Sequence, residues 1–261
     1  MFTYYIIFVP KIFLKIHFLY FKMVTHYSFV LQAKLLKLPQ NWRPLLLVSS
    51  LIVIRELGGK ISVFMYTVFV FLEANVSIDP FLCTVLVGLA RLLSTIIGSL
   101  VIDKFGRKSL LISTTVICGT SILLAGGVLL SNQNYPGGKI IPLICVLIFC
   151  VFYSAGLGPI PWVLMGELLP TPIRSLGTSL SCICFSSSMF IMTNSFPTML
   201  EFLGLGTCFI IFGAFNLLNG VIAYVFLPET KGCSLLELEM IFSGNKNSKL
   251  TTSQEKLAFK T

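Results

Sequence analysis

Charge is what this sequence has least of. Asp, Glu, Lys and Arg make up 11% of its 261 residues, against about 25% in an ordinary soluble domain. Helices on a water-soluble core need polar faces, and a chain this poor in charge has too few to supply them. Histidine is scarce as well: His17 and His26 are the two present. With no His near the closely spaced Cys182 and Cys184 there is no zinc ligand set. Cys83, Cys118, Cys145, Cys150 and Cys208 also fall in or beside apolar stretches, where a thiol behaves as a small hydrophobe. No glycine-rich phosphate loop, paired acid and base, or nucleophile elbow occurs. The chain is therefore not read as an enzyme, and no catalytic residue, metal site or cofactor is expected.

What is abundant is hydrophobic surface: 56% of residues are apolar and the mean hydropathy is +0.92. Apolar windows recur at 44–72, 81–102, 109–130, 140–165, 176–200 and 205–227. Each can cross a hydrocarbon core about 30 Å thick as a helix of about 20 residues. Between them lie "EANVSIDP", "DKFGRK", "SNQNYPGGK", "GELLPTPIRS" and "EFLGLG", polar breaks of the kind that reverse a chain. The expected fold class is an all-α membrane protein with six transmembrane helices.

Basic residues set the orientation. Lys104, Arg107 and Lys108 lie in one break and Arg174 in another, while Lys231, Lys246, Lys249, Lys256 and Lys260 follow the last window. The alternate breaks hold Lys139 alone, so the basic side, with "NWRP" and the C-terminus, is expected in the cytoplasm. A net charge of +9 then reflects attraction to an anionic leaflet. Nucleic acid is not an expected partner, because no folded basic face is visible.

Three domains are expected: 1–40, a basic aromatic segment; 41–230, the six-helix membrane unit; and 231–261, a cytoplasmic tail. In the first, Lys11, Lys15, Lys22 and His26 recur at helical spacing and leave Phe13, Phe18, Leu19 and Phe21 for lipid. That pattern suits an interfacial helix; the other reading is a segment outside the working fold. A secretory signal fits poorly.

The rare charges inside apolar windows demand a reason. Arg55, Glu56 and Lys60 interrupt the first window and Arg91 the second, each costing about 2.5 to 3.5 kcal/mol in lipid unless it faces water or a partner. Glu56 and Lys60, four apart with the acid first, are placed to pair, which leaves Arg55 and Arg91 as surplus cations. In "GPIPW", Pro159 and Pro161 remove backbone hydrogen bonds within a span, while Gly156 and Gly158 allow close helix approach.

The motifs "GSLVIDKFGRKSLL", "GPIPWVLMGELLPTPIR" and "LPETKGCSLLELE" stand in register with the windows. Together, over about residues 41 to 241, they resemble the C-terminal half of the sugar porters of the major facilitator superfamily, which include glucose facilitators and insect trehalose transporters. The resemblance implies half of a major facilitator fold, an inverted three-plus-three repeat, in a plasma-membrane carrier. It implies that Gly158, Pro159 and Pro161 form a moving gate helix, with Trp162 lining the substrate path; the other reading of these residues is a static kink with Trp162 as an interfacial anchor. It makes Asp103, Arg107, Glu167, Arg174 and Glu229 a charge network that latches the cytoplasmic side.

The chain departs from the family pattern where the sugar would sit. "RELGGKISV" stands in place of "QQLSGINAV", which sets Arg55 and Glu56 at a glutamine pair and Ile61 at an asparagine. Arg91 and Met189 replace further asparagines, and Ser154 a glutamate. A cavity at Arg55, Glu56, Lys60, Arg91 and Trp162 has three readings: a site for a small organic anion, an ion cluster locking two helices, or still a sugar site. Glu56 is the one carboxylate placed for proton coupling, which favours facilitated diffusion. A complete carrier has two six-helix halves, so an N-terminal half is an expected partner besides the solute and the bilayer. The alternative is a truncated, non-transporting membrane protein that binds or regulates full-length relatives.

The topology is open to test by cysteine labelling in intact cells. Gly106→Cys should resist an impermeant external reagent and Asn134→Cys should react; external labelling at 106 would reverse the assignment.

Overall fold

The computed structural model describes residues 35–66, 79–104, 106–131 and 140–232, with positions 68, 72, 238, 240 and 242. Nearly all the expected interfacial segment and most of the C-terminal tail lie outside the described residues. Helix α1, Pro39–Leu57, starts on Pro39, where a missing N–H costs little, and holds Pro44 in its interior, where one intrahelical bond is lost. It stops at Gly58 and Gly59, and α2, Lys60–Met65, follows. Gly59 has φ of 81°, a left-handed conformation that side chains with a Cβ disfavour by about 1–2 kcal/mol. The first apolar window, over residues 44–66, is thus two helical pieces with a corner between them.

Helix α3, Pro80–Lys104, begins after Asp79, whose Oδ1 accepts the Phe81 N–H at 3.1 Å. Helix α4, Arg107–Leu130, precedes α5, Ile141–Phe152. A π-helical turn, Tyr153–Leu157, joins α5 to α6, Ile160–Leu168. A short 3₁₀ turn, Thr171–Ile173, leads into α7, Arg174–Phe226.

Among the described residues four helical stretches are long and apolar enough to cross a membrane: Phe81–Leu100, Arg107–Leu130, Ile141–Leu168 and Thr171–Phe226. The last has 56 residues, about 84 Å if straight at 1.5 Å per residue, far beyond a core of about 30 Å. Gly204, with φ 73° and ψ 161°, breaks it. Contacts on either side show that the chain turns back there. The first arm passes Ser49 through Ser181 and then Tyr66 through the Thr193 carbonyl. The second returns past Gly58, whose carbonyl accepts from Asn216, to Glu229 beside Gly106. The "EFLGLG" break is therefore a helical reversal about one glycine.

Helix α7 is the spine, lying along α4 and α1, while α4 also packs on α5. Phe149, Phe196, Phe209, Phe212, Leu51, Ile52, Leu111 and Ile122 are fully buried among these helices. A glycine seam sets the α4–α7 distance: a Cβ on Gly126 would stand 2.7 Å from the Gly206 carbonyl oxygen, and one on Gly213 would stand 3.0 Å from that of Gly119. Lipid chains are as apolar as leucine, so close backbone approach of this kind, rather than water exclusion, holds membrane helices together. Helix α3 contributes less to the core. It touches the π-turn and α5 and leaves Leu89, Leu92, Leu93, Ile96, Ile97 and Leu100 exposed, a face suited to lipid.

Neighbouring glycines supply a controlled test of the seam. Gly126→Ala should destabilise by about 1–3 kcal/mol, as overpacking does. Gly127→Ala, whose Cβ would meet nothing within 4 Å, should be neutral or slightly stabilising. Thermal midpoints of the detergent-purified variants read the difference; equal midpoints would show the seam is not tight.

Candidate functional site

The corner between α1 and α2 brings its charges inward. Arg55 and Glu56 are 1% and 0% exposed and Lys60 17%. Glu56 Oε1 accepts Arg55 Nε at 3.0 Å and Nη2 at 2.7 Å, and Glu56 Oε2 lies 3.2 Å from Lys60 Nζ. The acid–base pair four apart is formed. Arg55, set down as a surplus cation by the spacing rule, shares the same carboxylate, because its long stem lets the guanidinium curl back along the helix. The side-chain amide of Asn216 secures the corner by donating to the Gly58 carbonyl at 2.9 Å.

Arg55 also ties this corner to the broken helix. Pro159 and Pro161 have no N–H, and the Trp162 N–H turns to the Pro159 carbonyl at 3.1 Å. In a regular helix Trp162 would bond the Gly158 carbonyl; that carbonyl instead accepts Arg55 Nη1 at 2.8 Å. Five residues upstream, the Gly158 N–H bonds the Tyr153 carbonyl at 2.7 Å, the bond that makes the π-turn. π-Bulges and proline breaks of this sort concentrate at functional positions in helices.

Aromatic rings wall the cluster. The Arg55 guanidinium carbon lies 5.5 Å from the Trp162 ring centroid and 5.8 Å from that of Phe185, and the two rings meet edge to face at 5.1 Å. Lys60 Nζ stands 5.4 Å from Phe185 and 5.8 Å from Tyr153. Arg91 on α3 lays its guanidinium on Phe64, 3.7 Å from the centroid, a cation–π distance. The structure thus gathers Arg55, Glu56, Lys60 and Trp162 directly and brings Arg91 in through Phe64. Ile61 is buried, while Met189 and Ser154 are half-buried.

The charges at the other motifs meet at one end of the bundle. Arg107 Nε lies 3.2 Å from Glu167 Oε1, linking the start of α4 to the end of α6. Arg174 Nε donates to the Leu169 carbonyl at 3.3 Å, and the Glu229 carboxylate packs on Gly106. The side chain of Asp103 lies outside the described residues. Arg43, at the start of α1, reaches the Phe242 carbonyl at 3.1 Å, so α1 begins at this same end. The Arg107–Glu167 pair is partly exposed and so worth about 1 kcal/mol or less.

Sequence reasoning missed Tyr153, Phe64, Phe185 and Asn216. Tyr153 and Asn216 had a visible signal, a polar group inside an apolar window; the two phenylalanines had none among 23.

A helix broken by prolines, whose freed carbonyl is held by a buried ion cluster, thus lies among the long apolar helices of a multi-pass membrane protein. The family model described as "Sugar (and other) transporter" matches residues 20–242. The chain belongs to this sugar transporter family. It is 34% identical over 209 residues to the facilitated trehalose transporter Tret1 of Culex quinquefasciatus, covering 78% of this chain and 40% of that one. The match to the same-named protein of Drosophila virilis is 34% over 218 residues, covering 82% and 24%. Among solved structures, the inward-open xylose transporter XylE from E. coli aligns with a TM-score of 0.67 at 25% identity, over 77% of this chain and 42% of that one. XylE bound to 6-bromo-6-deoxy-D-glucose, a major facilitator superfamily proton:xylose symporter, aligns at 0.66 and 26%, over 76% and 42%. The chain spans between a quarter and about two-fifths of these curated relatives.

The buried pair can be tested by a double-mutant cycle. Glu56→Gln should cost about 3–5 kcal/mol, because it strands buried Arg55 without its counter-ion. Arg55→Gln with Glu56→Gln should lose far less than the sum of the single losses. Additive losses in thermal midpoint would mean the two side chains are not coupled.

Proposed function

We propose that this chain forms the C-terminal six-helix half of a facilitative solute carrier of the sugar-porter type. It would work by alternating access around a site shared with an N-terminal six-helix half. Six crossings follow if α1 with α2 makes one, α3, α4 and α5 with α6 make three, and the two arms of α7 make two. The contacts of Arg43 and Glu229 at one end suit an even number. This reading places the carrier in the plasma membrane with the basic end and the C-terminus in the cytoplasm.

The observation that carries the proposal is the Arg55–Gly158 bond between the charged corner and the broken helix. A helix that bends at a solute site needs a carbonyl that can exchange partners, and Gly158 offers one beside Trp162. Movement at Gly158, Pro159 and Pro161 would open or close the path from the site. The Arg107–Glu167 contact, with Arg174 and Glu229 at the same end of the bundle and Asp103 four residues before Arg107 in the chain, would hold the cytoplasmic end shut in one state and part in the other, a weak latch suited to repeated opening. The solute is a small hydroxylated molecule, in keeping with relatives that carry trehalose and xylose. Glu56 is committed to two cations, which supports facilitated diffusion over proton coupling.

Reconstitution tests the proposal. Proteoliposomes holding this chain with the N-terminal half of a sugar-porter relative should show saturable uptake of radiolabelled solutes, drawn from neutral sugars and sugar acids. Vesicles holding either half alone should not. Absence of flux in a correctly assembled pair would reject the carrier reading and favour a membrane protein that binds or regulates full-length relatives.

A further inference from the structure

The buried cluster does not balance. Among the described residues Arg55 and Lys60 share one carboxylate: both donate to Glu56 Oε1, and Lys60 Nζ also lies 3.2 Å from Oε2, which accepts no hydrogen bond there. Arg55 is spent, since Nη1 is also held by the Gly158 carbonyl. It can reach a ligand only by breaking bonds that secure the corner. The remaining cations differ. Arg91 lies on the Phe64 ring, and its buried Nε has no hydrogen-bond partner among the described residues. Lys60 has one carboxylate partner and three N–H donors. Tyr153 is 5% exposed, and its hydroxyl, also buried, has no partner among the described residues.

These groups stand on one connected floor of rings. Phe64 under Arg91 meets Tyr153 edge to face at 5.6 Å, and Lys60 Nζ lies 5.8 Å from the Tyr153 centroid. Two cations with donors to spare on one floor of rings, beside an idle hydroxyl in an apolar surround, form a site that lacks an anion. A neutral sugar does not complete it. Its hydroxyls bring no negative charge, so the surplus of Lys60 and Arg91, which only donate, stays uncompensated.

We propose that Lys60, Arg91 and Tyr153 bind the acidic group of the solute, so that the molecule carried is a hydroxylated oxyanion, bearing a carboxylate or a phosphate, and not a neutral sugar. The inference rests on the carrier reading and names its substrate class. The oxyanion would accept from the Arg91 guanidinium, the Lys60 ammonium and the Tyr153 hydroxyl, while the Arg55–Glu56 pair holds the α1 corner in place behind it.

Glucose, glucuronate and glucose 6-phosphate share a ring and differ in charge, so they separate the possibilities. The purified protein, paired with an N-terminal half, is titrated with each at constant ionic strength and its thermal midpoint followed; inorganic phosphate is a fourth probe. Glucuronate or glucose 6-phosphate should stabilise saturably and glucose should not, and whichever of the two acts tells carboxylate from phosphate. Arg91→Gln should weaken the effective anion by about tenfold or more, and Tyr153→Phe by less, as expected for a charged and a neutral donor. Arg91→Lys, which keeps the charge, should fall between and serves if Arg91→Gln does not fold. Stabilisation by glucose as strong as by either anion overturns the proposal. So does no stabilisation by any probe, an equal effect of inorganic phosphate, or anion binding indifferent to Arg91 and Lys60. Flux separates this failure from that of the carrier reading: anion binding without uptake keeps the site and rejects the carrier, whereas glucose uptake without anion binding does the reverse.

Discussion

The Glu56 carboxylate is the group on which the rest of the site depends. Three buried or half-buried cations lie around it, and in a low-dielectric interior each would be costly alone. By accepting from both Arg55 and Lys60 on Oε1, it allows α1 to end inside the bundle with its charges turned away from lipid. Arg55 then has one nitrogen to spare, and with it satisfies a carbonyl that two prolines and a shifted hydrogen bond leave open. One carboxylate therefore fixes a helix corner, neutralises part of a buried charge and ties the corner to the helix most able to bend.

The backbone provides the complementary half of the design. Tight and loose regions are segregated. Between α4 and α7 the backbones nearly touch along the glycine seam, which suits a rigid frame. Between α5 and α6 the π-turn and the prolines interrupt the hydrogen-bond ladder, and α3 packs on that interruption while showing its other face outward. The proposed carrier reading calls for both properties, since a site exposed alternately would sit between something stiff and something that yields.

Much of the fold was legible because a bilayer imposes a length and a polarity on every crossing. Windows two to four coincide closely with long helices, and "GRK", "GELLPTPIR" and "LPET" sit at one end as their charges require. The glycine reversal of α7 was less legible. "EFLGLG" reads as a polar turn, but nothing in those six letters says that Gly204 alone takes the positive φ. At the site, spacing was enough to pair Glu56 with Lys60, since four residues make one helical turn. It misassigned Arg55, because a rule for helix neighbours knows nothing of a side chain long enough to fold back, nor of a vacant carbonyl a hundred residues away.

By itself, then, the sequence determined that this is a membrane protein of helices, where its apolar stretches lie, and which few charges must find shelter; each follows from composition and local period. Only the tertiary structure decided who shelters whom. The Arg55–Gly158 bond, the stacking of Arg91 on Phe64 and the idle hydroxyl of Tyr153 join segments distant in the chain. Such contacts depend on helix rotation and depth, which packing sets and local sequence does not.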